Sequence, residues 1–308
     1  MDLSIIIVNW NTRELLKACL LSLYETLPEI DYEVIVVDNA SRDGSASMVK
    51  DDFPRVLLIE NQTNRGFAAA NNQALTIMRG RYALLINSDT VLTENAVSLL
   101  FSFLEDHPEA AMCCGQLLNA DGSKQHSIAS FPSLLTLMTN ISFLEYLWPQ
   151  RYPSKRYEWK KPIETDSCIG ACMLVRKRAI EAVGMLDERY FFFFEETDWA
   201  YRMRTSGWKI FHLPGAFIYH LQGQSIGRNI GSRKEFYRSR YQYFRKWHGY
   251  PYFLFTGAVI VTRLLINWLS VSAANVLLLG QKKSLRDKWV VYGKLLLWHL
   301  QGCPQRRE

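Results

Sequence analysis

Leu3-Ser4-Ile5-Ile6-Ile7-Val8-Asn9-Trp10-Asn11 is an apolar run that stops abruptly on polar residues. A short Ile/Val run closed by turn-forming residues reads as a strand buried on both faces. Outward from it, the same unit recurs. Residues 12–24 read as an amphipathic helix and 33–38 as a second strand. A turn and short helix over 41–52 lead to a third strand at 55–60, an Ala-rich helix at 66–78 and a fourth strand at 82–87. Short apolar runs alternating with helical periods predict an α/β chain with a mostly parallel sheet flanked by helices. The polar clusters Asn9-Trp10-Asn11, Asp38-Asn39, 61–64 and Asn87-Ser88-Asp89 each follow a strand. They fall at carboxyl ends, the edge at which open α/β sheets bind ligands.

The second half is less regular. Residues 149–165 are basic and Pro-containing, which reads as a surface loop. Residues 167–175 predict one strand, 195–204 a helix, and 208–213 and 216–220 two further strands. In Phe191-Phe192-Phe193-Phe194-Glu195-Glu196-Thr197-Asp198-Trp199, four phenylalanines run into three carboxylates. Acidic residues are rarely buried without a partner. Carboxylates at the edge of an apolar wall therefore either cap a helix or serve as a base. Asp198 and Arg202 have the i,i+4 spacing of an ion pair, and an acidic first turn complements the helix dipole.

A length of 308 residues and 48% hydrophobic content suit one large α/β domain or two smaller ones. Net charge is +6, unevenly spread: from Ser225 onward 15 Lys/Arg face 3 Asp/Glu. A basic tail on a mildly acidic body predicts an anionic surface near the tail. The six cysteines form no CxxC pair and no zinc spacing, so they read as free thiols in a reducing compartment. The N-terminal apolar run is too short for a signal peptide and follows no basic region, which predicts a cytosolic body. Residues 251–279 are apolar apart from Arg263 and scattered Asn and Ser. The stretch is long enough to span a bilayer. Basic flanks on both sides, Arg240, Arg245 and Lys246 before and Lys282, Lys283, Arg286 and Lys288 after, fit helices lying in an anionic headgroup region better than a single span.

Seven segments, in order and spacing, resemble the inverting GT-A glycosyltransferases of family 2, in their rhamnosyltransferase-like branch. They are Ser4-Ile-Ile-Ile-Val-Asn-Trp-Asn11, Val36-Val-Asp-Asn-Ala-Ser-Arg-Asp-Gly-Ser45, Asn64-Arg-Gly-Phe-Ala-Ala-Ala-Asn-Asn72, Leu85-Ile-Asn-Ser-Asp-Thr90, Gly170-Ala-Cys-Met-Leu-Val-Arg176, Glu195-Glu-Thr-Asp-Trp199 and Tyr219-His-Leu-Gln-Gly223. The resemblance implies a GT-A catalytic domain over residues 1–225. Its nucleotide-sugar half would run to about residue 115 and its acceptor half from about 116. Residues 226–308 would form a basic, apolar, helical extension that associates with membrane.

It also implies roles for single residues. Asp89 would hold Mg²⁺ or Mn²⁺ against the donor diphosphate; the competing reading makes it a helix N-cap, with Thr90 and Thr93 opening the next helix. The family often has two acids in this motif, and Asn87 replaces the first here. His220 is either a second metal ligand or an ordinary edge residue. Asp38 would touch the base or ribose, unless it only closes an Asx turn over 40–42. Asn9, Asn64, Arg65 and Gly66 would line the same nucleotide-sugar pocket. Glu196 is the expected catalytic base, with Asp198 the runner-up; the family commonly has Glu-Asp where this chain has Glu195-Glu196. Trp199 and Trp208 either stack on a sugar or pack in the core. Arg238, Arg240, Arg245 and Lys246, interleaved with aromatics, would grip membrane phosphates.

The implied reaction moves a sugar from a nucleotide donor to a lipid-linked or cell-surface glycan during polysaccharide biosynthesis. Rhamnose from dTDP-rhamnose ranks first and a UDP-hexose second. The expected place is the inner face of the cytoplasmic membrane. Nucleic acid is not an expected partner, and nothing in the sequence sets an oligomeric state. Two other classes share the fold signals: a sugar-nucleotide nucleotidyltransferase and a catalytically silent sugar-nucleotide-binding protein. The first would carry a Gly-rich basic phosphate loop after strand one, and Asn9-Trp10-Asn11-Thr12 is not one.

Overall fold

Nearly every residue of the first strand is buried, with successive side chains pointing to opposite faces, and this organises the sheet. The computed structural model describes residues 1–27, 29–221, 230–279 and 281–303. They divide into two compact units, one of Met1–Phe131 with Ile141–Gly227, the other of Pro132–Asn140 with Arg228–Glu308. The expected domain boundary at 225/226 lies outside the described residues, as do Gln222 and Gly223 of the last motif.

The first unit starts β1 (Leu3–Asn9), α1 (Arg13–Thr26), β2 (Tyr32–Asp38), α2 (Ser45–Asp52), β3 (Leu57–Glu60), α3 (Phe67–Ile77) and β4 (Tyr82–Asn87). It continues with β5 (Thr90–Leu92), α4 (Ala96–Asp106), β6 (Ala110–Leu118) and β7 (Ile128–Ala129). After α5 (Leu134–Met138), which belongs to the second unit, come α6 (Ile141–Leu147), β8 (Ile163–Glu164), β9 (Ser167–Cys168) and β10 (Cys172–Arg176). The unit closes with α7 (Lys177–Val183), α8 (Glu195–Thr205) and β11 (Lys209–His220).

The main sheet has the order β3-β2-β1-β4-β10-β6-β11-β5, with β8 also on β11. β3, β2, β1 and β4 are mutually parallel, whereas β10 runs antiparallel to both β4 and β6. In β1, Leu3, Ile5 and Ile7 pack with Leu16, Leu20 and Leu23 of α1. Ile6 points the other way, into a cluster with Ala68, Ala70 and Ala74 of α3 and Trp199 and Met203 of α8. A period of two with both faces covered is what a central parallel strand requires, and it explains why β1 is apolar throughout.

The structure corrects four sequence expectations. The strand expected over 167–175 is two strands: β9 pairs with β7 in a separate small sheet, and β10 joins the main one. The two strands expected over 208–220 are one, β11, with a register shift between Leu213 and Phe217. Gly115 accommodates that irregularity, since a Cβ there would sit 2.2 Å from the Ala216 carbonyl oxygen. Residues 90–92 form β5 and the next helix begins at Ala96, so Asp89 caps no helix. The expected surface loop at 149–165 ends in the short strand β8.

The second unit contains α5, α9 (Ile230–Leu277) and α10 (Lys283–Leu300). α9 is broken at Gly249, whose φ of 81° lies outside the helical region, two residues before Pro251. Trp268 of α9 stacks near Trp289 of α10, and Trp289 Nε1 donates to Ser272 Oγ at 2.8 Å. Arg263 donates to the carbonyl of Leu137 in α5. Arg238 lies over the Trp298 ring and pairs with Glu235 at 3.0 Å, while Arg240 lies over Phe236. These arginines are packed on aromatic faces inside their own unit.

Candidate active site

The parallel register sets Asn9 beside Asp38 and Val8 beside Asn87. Asn9 Nδ2 donates to Asp38 Oδ1 at 2.9 Å and to Ser41 Oγ at 3.1 Å. Thr12 Oγ1 donates to Asn9 Oδ1 at 2.6 Å and lies 2.8 Å from Ser88 Oγ. Asp38 Oδ2 accepts from the Ser41 N–H at 2.9 Å, so the expected Asx turn is present. Each Asp38 oxygen keeps acceptor capacity beyond these bonds, because a carboxylate accepts about four.

Asn39 ties this edge to the next loop. Its Nδ2 donates to Asn64 Oδ1 at 2.9 Å and to the Gly66 carbonyl at 3.2 Å. Its Oδ1 accepts from Asn61 Nδ2 and from the Arg65 N–H. Asn64 and Gly66 therefore join the edge, while the Arg65 side chain is exposed and contributes its backbone.

Asp89 and His220 come together from the ends of β4 and β11, with Nε2 3.4 Å from Asp89 Oδ1. Both are buried, at 1% and 7% exposure. Gln125 sets the imidazole tautomer. Its Nε2 donates to the His220 carbonyl at 2.5 Å and to Asn119 Oδ1 at 2.8 Å. A backbone carbonyl only accepts, which fixes the amide orientation and turns Oε1 toward His220 Nδ1, 2.9 Å away. Nδ1 then carries the hydrogen in the neutral ring, and Nε2 faces both Asp89 Oδ1 and the Asn87 Nδ2 amide, 3.4 Å from each. Two acceptors facing each other at this distance suit a cation between them. Among the described residues no cluster of three or more His, Cys, Asp or Glu could hold a metal.

Glu196 stands on the first turn of α8. Phe193 and Phe194, just before it, both have φ of 69°, a conformation that bulky residues adopt at a cost of about 1–3 kcal/mol each. The turn is held from several sides. The Phe67 N–H donates to the Phe191 carbonyl at 2.8 Å. A Cβ on Gly66 would sit 2.5 Å from that same oxygen, so only glycine allows the approach. Asn72 of α3 exchanges hydrogen bonds with the Leu186 backbone. Glu196 packs beside Gly170 and Phe67, and its Oε2 is buried with no hydrogen-bond partner among the described residues. Burial pushes its carboxyl up to about 7, partly offset by the backbone N–H groups of Glu196 and Thr197.

Asp198 is occupied differently. It is fully buried, accepting from Arg202 Nε at 3.1 Å and from Tyr190 OH at 3.4 Å. Arg202 also donates to the carbonyls of Val183 and Met185. Trp199 lies in the core, with Nε1 donating to the Gly184 carbonyl, and Trp208 packs against the same cluster. Sequence reasoning assigned no role to Gln125, Thr12 or Ser88. Thr12 and Ser88 flank polar strand ends and were open to inference; Gln125 lies in a stretch without periodicity and carried no such signal.

The family description glycosyl transferase family 2 matches residues 4–184. The chain belongs to this family. It is 26% identical over 214 residues to an N-acetylglucosaminyl-diphospho-decaprenol L-rhamnosyltransferase of Mycobacterium tuberculosis, covering 65% of this chain and 69% of that protein. It is 27% identical over 207 residues to the low-salt glycan biosynthesis hexosyltransferase Agl10 of Haloferax volcanii, covering 66% and 62%. A mannosyltransferase from Pyrobaculum calidifontis, solved with GDP-Man and Mn²⁺, superposes with a TM-score of 0.58 at 17% identity, over 97% of this chain and 87% of that one. GalNAc-T7, solved with UDP, GalNAc and Mn²⁺, gives 0.55 at 14% identity, over 78% and 47%. The family 2 protein described here thus has the GT-A fold and is a glycosyltransferase.

Proposed function

We propose that this family 2 enzyme transfers a sugar with inversion, using Glu196 as base and the edge built on Asn9, Asp38, Asn64 and Gly66 to hold the nucleotide. The observation that carries the reading is the half-buried Glu196 carboxylate: its Oε2 is buried without a hydrogen-bond partner among the described residues, and it is raised to about 7. A base of that strength takes a proton from an attacking hydroxyl near neutral pH while the carboxyl group it forms remains a stable acid. Asp198, bound to Arg202 and Tyr190, acts as a positioning residue for the turn. Asp89 and His220 would hold Mg²⁺ or Mn²⁺, which when bound neutralises charge on a diphosphate. The Mn²⁺ in both superposed structures supports a divalent metal without choosing between the two.

The donor ranked first is dTDP-rhamnose, on the likeness to the mycobacterial L-rhamnosyltransferase, with a UDP-hexose second. The name of that relative also supports a lipid-linked glycan as acceptor. Such acceptors call for a membrane, and the exposed apolar helix α9 with its basic flanks suits the anionic inner face of the cytoplasmic membrane. The test is diphosphate release from dTDP-rhamnose and UDP-hexoses by the purified full chain with Mn²⁺. Release from one donor, lost in Asp89→Ala, is the expected result. Undiminished release in Asp89→Ala would remove Asp89 from the mechanism.

A further inference from the structure

α6 of the catalytic unit turns its apolar side outward. Only Leu144 and Glu145 of this helix are buried. Ile141, Phe143, Tyr146 and Leu147 are exposed, as is Trp148 immediately after it, and Tyr146 is 76% accessible. Phe143, Tyr146 and Leu147 have i, i+3, i+4 spacing and share one face. Large aromatics grouped on a surface mark an interaction site.

The segment that follows says what the site meets. It folds back on α6: Arg151 N donates to the Trp148 carbonyl at 3.0 Å, Arg156 Nη2 to Ser142 Oγ at 3.1 Å, and Tyr157 OH to the Glu145 carbonyl at 3.4 Å. Arg151, Arg156, Lys160 and Lys161 are all exposed; Arg151 pairs with Asp166 at 2.7 Å, and with the exposed Glu158 the segment keeps a net positive charge beside the aromatic face. Trp and Tyr with a polar tip, an apolar face and a basic border match the boundary between headgroups and acyl chains. A protein partner of complementary shape would not require the net positive charge of this segment.

We propose that α6 and the basic segment behind it form a membrane-docking surface of the catalytic unit, specific for anionic lipid. It is additional to the contact proposed above for α9 and does not depend on the identity of the reaction. Phe143, Tyr146, Leu147 and Trp148 enter the headgroup boundary, and Lys160 and Lys161 face lipid phosphates.

The test uses the full chain carrying Tyr146→Cys and Cys303→Ser. The other five cysteines are buried, so an environment-sensitive fluorophore attaches at position 146 alone. The same label at the exposed Asp51, introduced by Asp51→Cys, is the control. With vesicles of phosphatidylglycerol and phosphatidylcholine, the label at 146 is expected to shift to the blue and to be quenched by brominated lipid tails, and the label at 51 is not. Phe143→Ser with Trp148→Ser is expected to weaken vesicle binding at least about tenfold. Lys160→Gln and Lys161→Gln are each expected to weaken it about fivefold on anionic vesicles only. A label at 146 that stays aqueous, whether or not the protein sediments with vesicles, overturns the proposal. So does a blue shift that needs no vesicles and grows with protein concentration, which would identify the ridge as a contact between copies of the chain.

Discussion

The carboxyl edge of β1, β2 and β4 and the helix pair α9–α10 are opposite solutions to solvent. At the edge, polar side chains are buried and nearly every one is bonded to another: Asn9 to Asp38, Asn39 to Asn64, Gln125 to His220. In the helix pair, apolar side chains are exposed, with Val276 at 75% and Leu277 at 82%. Burying polar groups costs stability unless they are paired, and exposing apolar ones wastes the main driving force of folding. A chain that does both has requirements beyond folding. The edge gathers polar groups that suit a polar ligand, and the exposed apolar side chains of the helix pair support the membrane contact proposed above.

Substitutions in the two regions should therefore behave differently. The largest stability effect is expected at Gly66, where the edge loop meets the turn carrying Glu196. Gly66→Ala adds a Cβ 2.5 Å from the Phe191 carbonyl at a residue with φ of 84°. A loss of about 2–4 kcal/mol follows from strain and overpacking, measurable by denaturant unfolding, with kcat falling more than donor affinity. An unchanged kcat in a folded variant would separate the loop from the base turn.

A smaller effect, with a definite pH signature, is expected at Glu196. Its carboxyl is raised to about 7 in the folded chain from the usual 4.5. The folded state thus binds more protons than the unfolded one between those values, and stability from this group, full below about pH 4.5, is lost as pH rises through about 7. Glu196→Gln removes that loss. The variant should gain up to about 2–3 kcal/mol over wild type at pH 8 and nothing at pH 4, by thermal unfolding at both pH values. An equal difference at both would place the carboxylate in water.

The smallest effect is expected in the helix pair. Val276→Ser and Leu277→Ser should change stability by less than about 0.5 kcal/mol while reducing retention on anionic vesicles. A large loss of stability would mean that these side chains are buried in the protein as it exists in solution.

Legibility in the sequence follows the same division. β1, β2 and β4 were readable to within a residue because a parallel strand covered on both faces is a continuous apolar run. Asp38, Asp89 and Asn9 were readable because such runs end on them. The antiparallel part was not. β9 and β10 look like one strand, but Ile169-Gly170-Ala171 separates pairing partners in two different sheets, which only tertiary contacts decide. β11 looks like two strands because Pro214 and Gly215 interrupt it, and Gly115 opposite lets the chain continue. Glu196 and Asp198 were both credible bases by spacing alone. The i,i+4 spacing to Arg202 already pointed to a structural Asp198, while the Tyr190 contact and the full burial of Asp198 do not lie in the local pattern.

The most direct measurement is the pH dependence of turnover for wild type and Glu196→Gln, with donor affinity determined for each. In the wild type, kcat/KM should rise with pH through about 7, as the base of the free enzyme loses its proton. In Glu196→Gln, the donor should bind as in wild type, and kcat should fall about 10²–10⁴-fold with that rise abolished. A variant that turns over within a few fold of wild type and keeps the same pH profile would contradict the assignment of Glu196 as the base.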